Sequence, residues 1–315
     1  MMEDTRTTPY ANSVFEQPWW LDIVAPGKWG EAVVKDGEEV VARLPYVFDR
    51  GRISSPRYTQ TLGIWMNEKD RRPLRGNEQF SRQKEIIRQL LDQLPVKNRI
   101  DLILDSSQSY VLPFRWEGYT IEPTFSYRIP LGSDLNTIES NYSKSIKRDV
   151  NRGSKSLIVE DSSEIEDFVE LQNMTYKRQN RRNPVDNSFT FHVIERSMKL
   201  DHGKLLIARD SDGKAHAGSF ILYDEKVCYH LISGQDTSYG NDCAMPLLFQ
   251  KEVAIAKEKS KAFDFEGSMI EGIEQTYRRY GGNNVINWHV YKQPLLSEVA
   301  HILKPRVKRM IGYKM

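Results

Sequence analysis

Two carboxylates, Asp264 and Glu266, lie at the end of an apolar segment that predicts a buried strand. Strand alternation places both side chains on the same face. Two carboxylates beside an apolar surface are stable only when cations pair with them or when they open into a cleft. The pattern therefore predicts either a salt-bridge site or an acid/base site, and both interpretations stay open. Arg278 and Arg279 are candidates to neutralise these carboxylates or to hold an anionic substrate.

A strongly basic segment, SKSIKRDVNRGSK, predicts a second kind of site. Lys144, Arg148 and Arg152 recur at a spacing of four and so lie on one side of a predicted helix. A solvated helix face normally mixes charges of both signs, whereas Asp149 is the only acid in this segment. The excess of cations favours a phosphate-bearing ligand, such as a nucleotide sugar or an RNA end. A charged face that binds nothing is the alternative.

Two weaker candidates come from the segment that leads into a predicted helix at Met245. The loop before that helix contains Gly234 and Gly240, and the amides of a first helical turn attract a phosphate or a carboxylate. Turn geometry alone explains these glycines equally well. Upstream, Tyr229 lies beside His230 in a predicted strand, where a cleft-facing position and a packed position both remain open.

Composition excludes several other classes of protein. The chain has 315 residues, a formal net charge of +2 and two cysteines, which predicts one large or two ordinary domains and no disulfide framework. Cys228 and Cys243 are expected to be reduced and packed. No Cys/His cluster, GxSxG elbow, Walker loop or GxGxxG motif is present. No window approaches the roughly 20 apolar residues of a membrane span and no signal peptide is evident, so a cytoplasmic location is expected.

The elements that must position these residues recur in the same order in both halves of the chain. Asp-Gly pairs at residues 36–37 and 212–213 predict hairpins. Helices predicted over residues 78–94 and 245–259 follow, and each precedes a short strand that contains Asp. A nearly constant offset links the later positions of the two halves, as an internal duplication would. Chance matching is the alternative.

The sequence therefore predicts an α/β (α+β) protein built from two copies of one fold, each a mixed twisted sheet flanked by helices. The predicted domains are residues 1–125 and 126–315. The second copy adds a helix from Asp134 through Lys155 and is expected to hold the working site. The boundary is expected to pass through a shared strand, because no Gly/Ser/Pro-rich linker intervenes.

The segments over residues 126–293 together resemble the FemABX group of acyltransferases. They include LNTIESNYSKSIKRDVNRGSK, YHLISGQDTSYGNDCAMPLLFQKEVAIAKEKSKAFDFEGSM and YRRYGG. The first half matches mainly in element order. The resemblance implies two tandem GNAT-like domains, which would account for the duplication.

The resemblance also implies a reaction, because members of the group transfer an amino acid from aminoacyl-tRNA to an amine of a peptidoglycan precursor. Amine attack on an activated carbonyl needs a proton acceptor and donors for the developing oxyanion. Asp264 or Glu266 would accept the proton, and the amides between Ser233 and Gln235 would face the oxyanion. The expected substrate-binding residues are Lys144, Arg148, Arg152, Tyr229, Gln235, Tyr277, Arg278 and Arg279.

Two departures from the family pattern matter. The GNAT pyrophosphate loop, of the Q/R-x-x-G-x-G/A kind, is not evident before the helix at Met245, which puts acyl-CoA binding in question. The family's Phe-Lys pair before an aromatic-Gly pair is Thr276-Tyr277 here, so Tyr277 replaces the lysine and Arg278 is a candidate to supply the charge. No permanently bound cofactor or metal is expected, and the co-substrate is aminoacyl-tRNA or acyl-CoA.

The leading hypothesis is an N-acyltransferase that acts on an amine of a peptidoglycan precursor or a related cell-envelope acceptor. The alternative is a non-catalytic ligand-binding protein on a decayed scaffold. The expected partners are a phosphate-bearing envelope precursor, with charged tRNA as a candidate. The basic tail at Lys304, Arg306, Lys308 and Arg309 is a candidate for peripheral membrane contact, and the sequence leaves the oligomeric state open.

Overall fold

The computed structural model describes residues 6–71, 76–178 and 180–293. The basic tail from Lys304 to Arg309, which the sequence suggests for membrane contact, lies outside the described residues.

The described residues form one mixed sheet of 12 strands. These strands are β1 Trp29–Asp36, β2 Glu39–Asp49, β3 Arg52–Ser54, β4 Trp65–Met66, β5 Ile100–Leu104, β6 Thr120–Pro130, β7 Ile158–Ser162, β8 Gly203–Arg209, β9 Ala215–Tyr223, β10 Val227–Gln235, β11 Ala262–Asp264 and β12 Asn283–Lys292. Both predicted Asp-Gly turns connect the strands of a hairpin, β1/β2 in the first case and β8/β9 in the second. Gly37 and Gly213 have φ of 62° and 79°, which glycine adopts without strain.

The sheet order is β1-β2-β3-β5-β12-β6-β11-β10-β9-β8-β7, and β4 pairs with β2. The β3/β5 and β10/β11 pairs are parallel, and the other neighbours are antiparallel. This arrangement confirms the predicted fold class, a mixed sheet with helices on its faces.

Helices cover both faces of this sheet. They are α1 Pro18–Val24, α2 Glu68–Arg71, α3 Asn77–Asp92, α4 Leu112–Trp116, α5 Leu135–Ser140, α6 Lys144–Gly153, α7 Ile165–Arg178, α8 Asn187–Lys199, α9 Ala244–Lys259 and α10 Glu271–Tyr277, with 3-10 turns at Val14–Glu16, Thr237–Tyr239 and Arg278–Tyr280. One apolar core contains residues of α1, α3, α7 and α8, and a second contains residues of α5, α6 and α9. On β9, Phe220 belongs to the first core and Ile221 to the second, so the two cores lie on opposite faces.

The helices predicted over residues 78–94 and 245–259 are confirmed as α3 and α9. The single helix predicted from Asp134 through Lys155 is wrong, because the chain forms α5 and α6 there. Each has its own N-cap: Asp134 accepts a hydrogen bond from the Thr137 amide at 3.0 Å, and Ser143 accepts one from the Ile146 amide at 3.3 Å. The second cap starts α6 as a separate helix.

The late elements of the two halves recur in order, since α4 precedes β6 and α10 precedes β12. These last strands are exchanged between the halves. β6 pairs with β11 of the second half, and β12 pairs with β5 of the first half. Residue 125, where the sequence predicts the boundary, lies within β6. The division into residues 1–125 and 126–315 stays a prediction.

Glu16 is fully buried beneath this sheet, and its carboxylate accepts hydrogen bonds from the amides of Asn12 at 2.7 Å and Gly63 at 3.2 Å. Burial, with the nearby charge of Asp105 adding to it, raises the pKa of Glu16 from 4.5 to about 7. The folded state therefore favours the protonated acid. Its contribution to stability is complete below pH 4.5 and is lost as the pH rises through about 7.

We expect the free energy of unfolding to fall by about 3 kcal/mol through Glu16 between pH 4.5 and pH 8. In Glu16→Gln the side chain is neutral at every pH, so this part of the dependence of the free energy of unfolding on pH should disappear. Urea unfolding at several pH values measures the change. Glu38→Gln, at an exposed turn position, is the matched control and keeps the wild-type slope. If the free energy of unfolding of Glu16→Gln falls with pH as steeply as that of the wild type, Glu16 is not the source of this pH dependence.

Candidate active site

The pairing of the parallel strands β10 and β11 ends at Tyr229 and Asp264, and we call the region beyond that point, between the two diverging chains, the cleft. Their pairing runs from Val227 with Ala262 to Tyr229 with Asp264, where β11 ends. β10 continues to Gln235. Within the described part of the chain, no strand lies beside that edge of β10 beyond Tyr229. The candidate site residues lie at these two ends, with Asp264 at the end of β11, Glu266 after it and Gln235 at the end of β10.

Asp264, at the end of β11, has hydrogen bonds at both of its side-chain oxygens. Its side chain is fully buried and accepts bonds from Arg128 Nε at 2.9 Å and Arg128 Nη2 at 2.7 Å. Ser126 Oγ and the Glu266 amide donate to its other oxygen, the latter at 2.8 Å. With both oxygens hydrogen-bonded and the Arg128 guanidinium in contact, Asp264 is suited to positioning the chain.

The neutralising cation is therefore Arg128, which sequence reasoning missed. The sequence suggested Arg278 and Arg279 for this role. Instead, Arg278 lies 3.9 Å from Glu274, and both arginines are exposed. Arg128 stands directly opposite Asp264 in the antiparallel β6/β11 register, a pairing that becomes visible only once the strand order is known.

Glu266 does not continue the strand, so the prediction that it shares a face with Asp264 by alternation is wrong. Its φ is 60° and that of Gly267 is 63°, both in the left-handed region. Gly267 is required there, because a Cβ would collide with the Phe125 carbonyl oxygen. A non-glycine residue in this conformation is strained, and such strain is concentrated at functional sites.

The Glu266 carboxyl has the properties of an acid/base group. Its Oε1 atom is buried without a hydrogen-bond partner. Burial, with the negative charge of Asp264 adding to it, raises the pKa of Glu266 well above 4.5. A buried carboxyl with a raised pKa and an unpaired oxygen is a candidate for general acid/base catalysis.

Tyr277 lies beside Glu266, and its ring stacks on Phe265 at a centroid distance of 4.9 Å. Burial raises the pKa of Tyr277, and the charges of Glu266 and Glu252 add to the effect. Its phenol therefore keeps its proton and is available as a hydrogen-bond donor, whereas the lysine of the family pattern would be a cation.

Tyr229 and Gln235 are not arranged as the sequence suggested. Tyr229 is 1% exposed and packs on Phe15 at 4.7 Å, so it lies inside the first core. The Gln235 amide donates to Thr175 Oγ1 at 2.9 Å and is already occupied. A ligand in the cleft would meet neither the Tyr229 ring nor the Gln235 amide.

The structure brings the basic helix next to the arginine pair. The Ser143 amide, at the start of α6, donates to the Arg279 carbonyl at 2.8 Å, which places Lys144 near Arg279. Lys144, Arg148, Arg278 and Arg279 are all exposed, and we call these four residues the cationic patch. Arg152 is directed elsewhere, since it donates to Cys243 Sγ at 2.6 Å and lies 3.6 Å from Asp149.

The N-terminus of α9 already holds a carboxylate, which argues against a phosphate there. Asp242 accepts a bond from the Ala244 amide at 3.0 Å and contacts His216 Nδ1 at 2.8 Å. Pro246, in the first turn, has no N–H to donate. The structural explanation of the preceding glycines is therefore favoured over an anion site.

The described part of the chain contains no group of three or more His, Cys, Asp or Glu side chains that could hold a metal ion. Cys228 and Cys243 are free and buried, as the sequence predicts. None of the described helices is long and apolar enough to cross a membrane.

The fold is that of the FemABX and GNAT-like acyltransferases. A solved structure of FemX matches with a TM-score of 0.69 and 10% identity over 94% of this chain and 95% of that one. L-PGS from Bacillus licheniformis matches with a TM-score of 0.55 and 12% identity over 93% and 91% of the two chains. The C-terminal domain of a putative lysylphosphatidylglycerol synthetase from Agrobacterium fabrum matches with a TM-score of 0.55 and 11% identity. The match covers 91% of this chain and 94% of that one. No family model and no curated protein matches the sequence.

Proposed function

We propose that the protein is an acyltransferase that moves an aminoacyl group to an amine of a phosphate-bearing cell-envelope acceptor, with a peptidoglycan precursor as the leading candidate. The observation that carries the proposal is Glu266, a carboxyl with a raised pKa and an unpaired oxygen in a cleft of an acyltransferase fold. One structural neighbour is named as a putative lysylphosphatidylglycerol synthetase. The product in that name is an aminoacylated component of the cell envelope, which supports an acceptor of this kind.

The chemistry follows from the position of Glu266. The acceptor amine attacks the carbonyl carbon of the donor ester, and the new C–N bond forms as the amine gives its proton to Glu266. The C–O bond of the donor then breaks, and Glu266 returns the proton to the departing oxygen. Tyr277, whose pKa the charge of Glu266 helps to raise, is the candidate hydrogen-bond donor to the reacting groups.

The cationic patch supports a substrate that carries phosphate. Its four side chains are exposed on adjoining elements, and Arg278 and Arg279 follow α10, which ends at Tyr277. Guanidinium groups bind phosphate through paired hydrogen bonds, and ammonium groups add charge. A tRNA backbone and a pyrophosphate-linked precursor share this phosphate chemistry.

Aminoacyl-tRNA is the favoured donor over acyl-CoA. The α9 N-terminus, where a GNAT pyrophosphate loop would act, is capped by Asp242, whose charge repels phosphate. We place the reaction in the cytoplasm, where charged tRNA is available, with no resident cofactor.

The decisive experiment incubates the purified protein with charged tRNA and candidate precursor amines and measures the new amide by mass spectrometry. We expect transfer from charged tRNA and no thermal stabilisation by coenzyme A, although binding at 100 times its dissociation constant would add about 2.7 kcal/mol. Acetyl transfer from acetyl-CoA together with a clear thermal shift would overturn the choice of donor. A panel of donors without product or binding would refute the acyltransferase.

A non-catalytic ligand-binding protein is the second candidate, and Tyr277 favours it because the family pattern has lysine there. This candidate predicts that precursor binds without turnover and that Glu266→Gln leaves the cellular phenotype unchanged. Binding measured by calorimetry alongside the transfer assay separates the two.

A further inference from the structure

Several exposed apolar side chains lie around the start of α10. The described part of the chain has ten large apolar side chains that are exposed, and four of them belong to this region: Met269, Ile270, Ile273 and Ile286. Single exposed apolar residues are normal on a protein surface, whereas a group of them marks a binding surface. We call these four residues the apolar tip.

Backbone contacts bring the apolar tip together. Its first two residues are consecutive, and the Ile273 amide donates to the Ile270 carbonyl at 3.0 Å as α10 begins. On β12, Ile286 stands opposite Phe125 of β6. The Phe125 carbonyl in turn lies against Gly267, where a Cβ would collide with it. The segment that leads into α10 therefore passes close to Ile286.

The apolar tip projects from a helix that is fixed to the sheet. Glu274 accepts a hydrogen bond from the Tyr127 hydroxyl at 2.6 Å, and Tyr277 packs against the second core. These contacts hold the inner side of α10 in place. Met269 and Ile270, by contrast, are 66% and 64% exposed. Their exposure is therefore a property of a supported surface.

The cationic patch lies at the other end of the same helix. Arg278 and Arg279 directly follow α10, which has seven residues and is therefore about 10 Å long. Lys144 adjoins them through the bond between the Ser143 amide and the Arg279 carbonyl. Within α10, Glu271 is the only exposed acid. Since the Debye length at physiological salt is about 8 Å, the patch attracts an anionic surface that the apolar tip touches.

This combination of groups fits an anionic lipid surface. Apolar side chains are stabilised at the boundary between headgroups and acyl chains, and nearby cations are stabilised by anionic headgroups. RNA would contact the cations and leave Met269 and Ile270 in water. A second copy of this chain would cover the apolar tip, but a symmetric dimer would also bring two cationic patches together. Charge therefore favours the lipid surface over both.

We propose that the apolar tip and the cationic patch form a docking surface for an anionic lipid bilayer. Met269 and Ile270 enter the boundary between the headgroups and the acyl chains, and the cationic patch binds the lipid phosphates. Because Met269 follows Glu266 by three residues, docking brings the candidate base close to the lipid surface. The docking goes beyond the proposed transfer reaction and does not depend on it.

The test measures cosedimentation of the full-length protein with lipid vesicles. One set contains phosphatidylcholine alone, and the other contains an equal mixture of phosphatidylcholine and phosphatidylglycerol. We expect clear binding to the mixed vesicles and weaker binding to phosphatidylcholine. Equal binding to the two sets, or binding to neither, overturns the proposal.

Variants separate the apolar and the cationic contributions. Ile270→Asp should lower the partition coefficient on mixed vesicles at least about tenfold, because a charge replaces a side chain that must leave water. Arg278→Gln should lower it about fivefold and leave binding to phosphatidylcholine unchanged. Ile158→Asp is the matched control, since Ile158 is an exposed residue of β7, five strands from β6, and should bind as the wild type does.

Other results assign the surface differently. If Ile270→Asp binds the mixed vesicles as tightly as the wild type, the apolar tip does not dock, and another segment such as the basic tail carries the binding. A dimer in sedimentation velocity that Ile270→Asp dissociates would show that a second copy covers the tip. Docking without aminoacyl transfer supports this inference and refutes the proposed function, and transfer without docking does the reverse.

Discussion

Glu266→Gln is expected to lower the rate constant kcat of aminoacyl transfer by between about 10² and 10⁴. Glutamine keeps the size of the side chain but cannot accept the proton of the attacking amine. The fold should persist, because Oε1 of Glu266 makes no hydrogen bond that the replacement would break. Single-turnover transfer with charged tRNA measures the change.

The pH dependence identifies the group as well as its effect. Burial raises the pKa of Glu266 well above 4.5, so the base form increases as the pH rises through this higher value. The transfer rate of the wild type should therefore rise with pH over that range. In Glu266→Gln this rising limb of the pH–rate profile should be absent. Glu271→Gln, an exposed position on α10, serves as the control with unchanged rate and profile. A limb that survives in Glu266→Gln means that another group is the base.

Asp264→Asn is expected to lower the free energy of unfolding by about 3 to 5 kcal/mol. The change leaves the Arg128 guanidinium beside a neutral amide in a buried site, where an uncompensated charge is costly. The Asp264 carboxylate is 0% exposed and the Arg128 side chain 21%, so solvent screens this pair far less than a surface pair. Urea unfolding of each single variant and of the double variant measures the coupling.

The double variant Asp264→Leu with Arg128→Met tests the cause. It removes both charges, and it should be clearly more stable than Asp264→Asn alone. Lys28→Met with Asp49→Leu removes a solvent-exposed pair at 3.2 Å and should change stability by less than about 1 kcal/mol. If Asp264→Asn lowers the free energy of unfolding by no more than the loss of the exposed pair does, the contact between Asp264 and Arg128 contributes little to stability.

The parts of the fold that could be predicted from sequence depend on local signals. The Asp-Gly turns and the apolar stripes of α3 and α9 are encoded within a few residues, and the structure confirms them. The fold class follows from the order of these elements, and the FemABX-like fold from the resemblance of the segments over residues 126–293; the structural match to FemX confirms the fold. The site was harder to predict, because its geometry depends on contacts between distant strands.

Two particulars show why. Arg128 binds Asp264 across a separation of 136 residues, and no spacing in the sequence indicates that pairing. The left-handed conformation of Glu266 ends the alternation that linked it to Asp264. The Gly267 that follows Glu266 was the one local signal of a break in the strand.

The exchange of β6 and β12 between the halves determines when the chain can fold. Ile100 pairs with Lys292 and Leu104 with Trp288, so the first half acquires its last neighbouring strand from near the end of the described chain. During synthesis, the edge of β5 that pairs with β12 therefore stays open until residues 283–292 have left the ribosome. Such distant pairing slows folding, since a long loop must close before the contact stabilises it. A fragment that ends at residue 125 should accordingly be aggregation-prone rather than an independent folding unit.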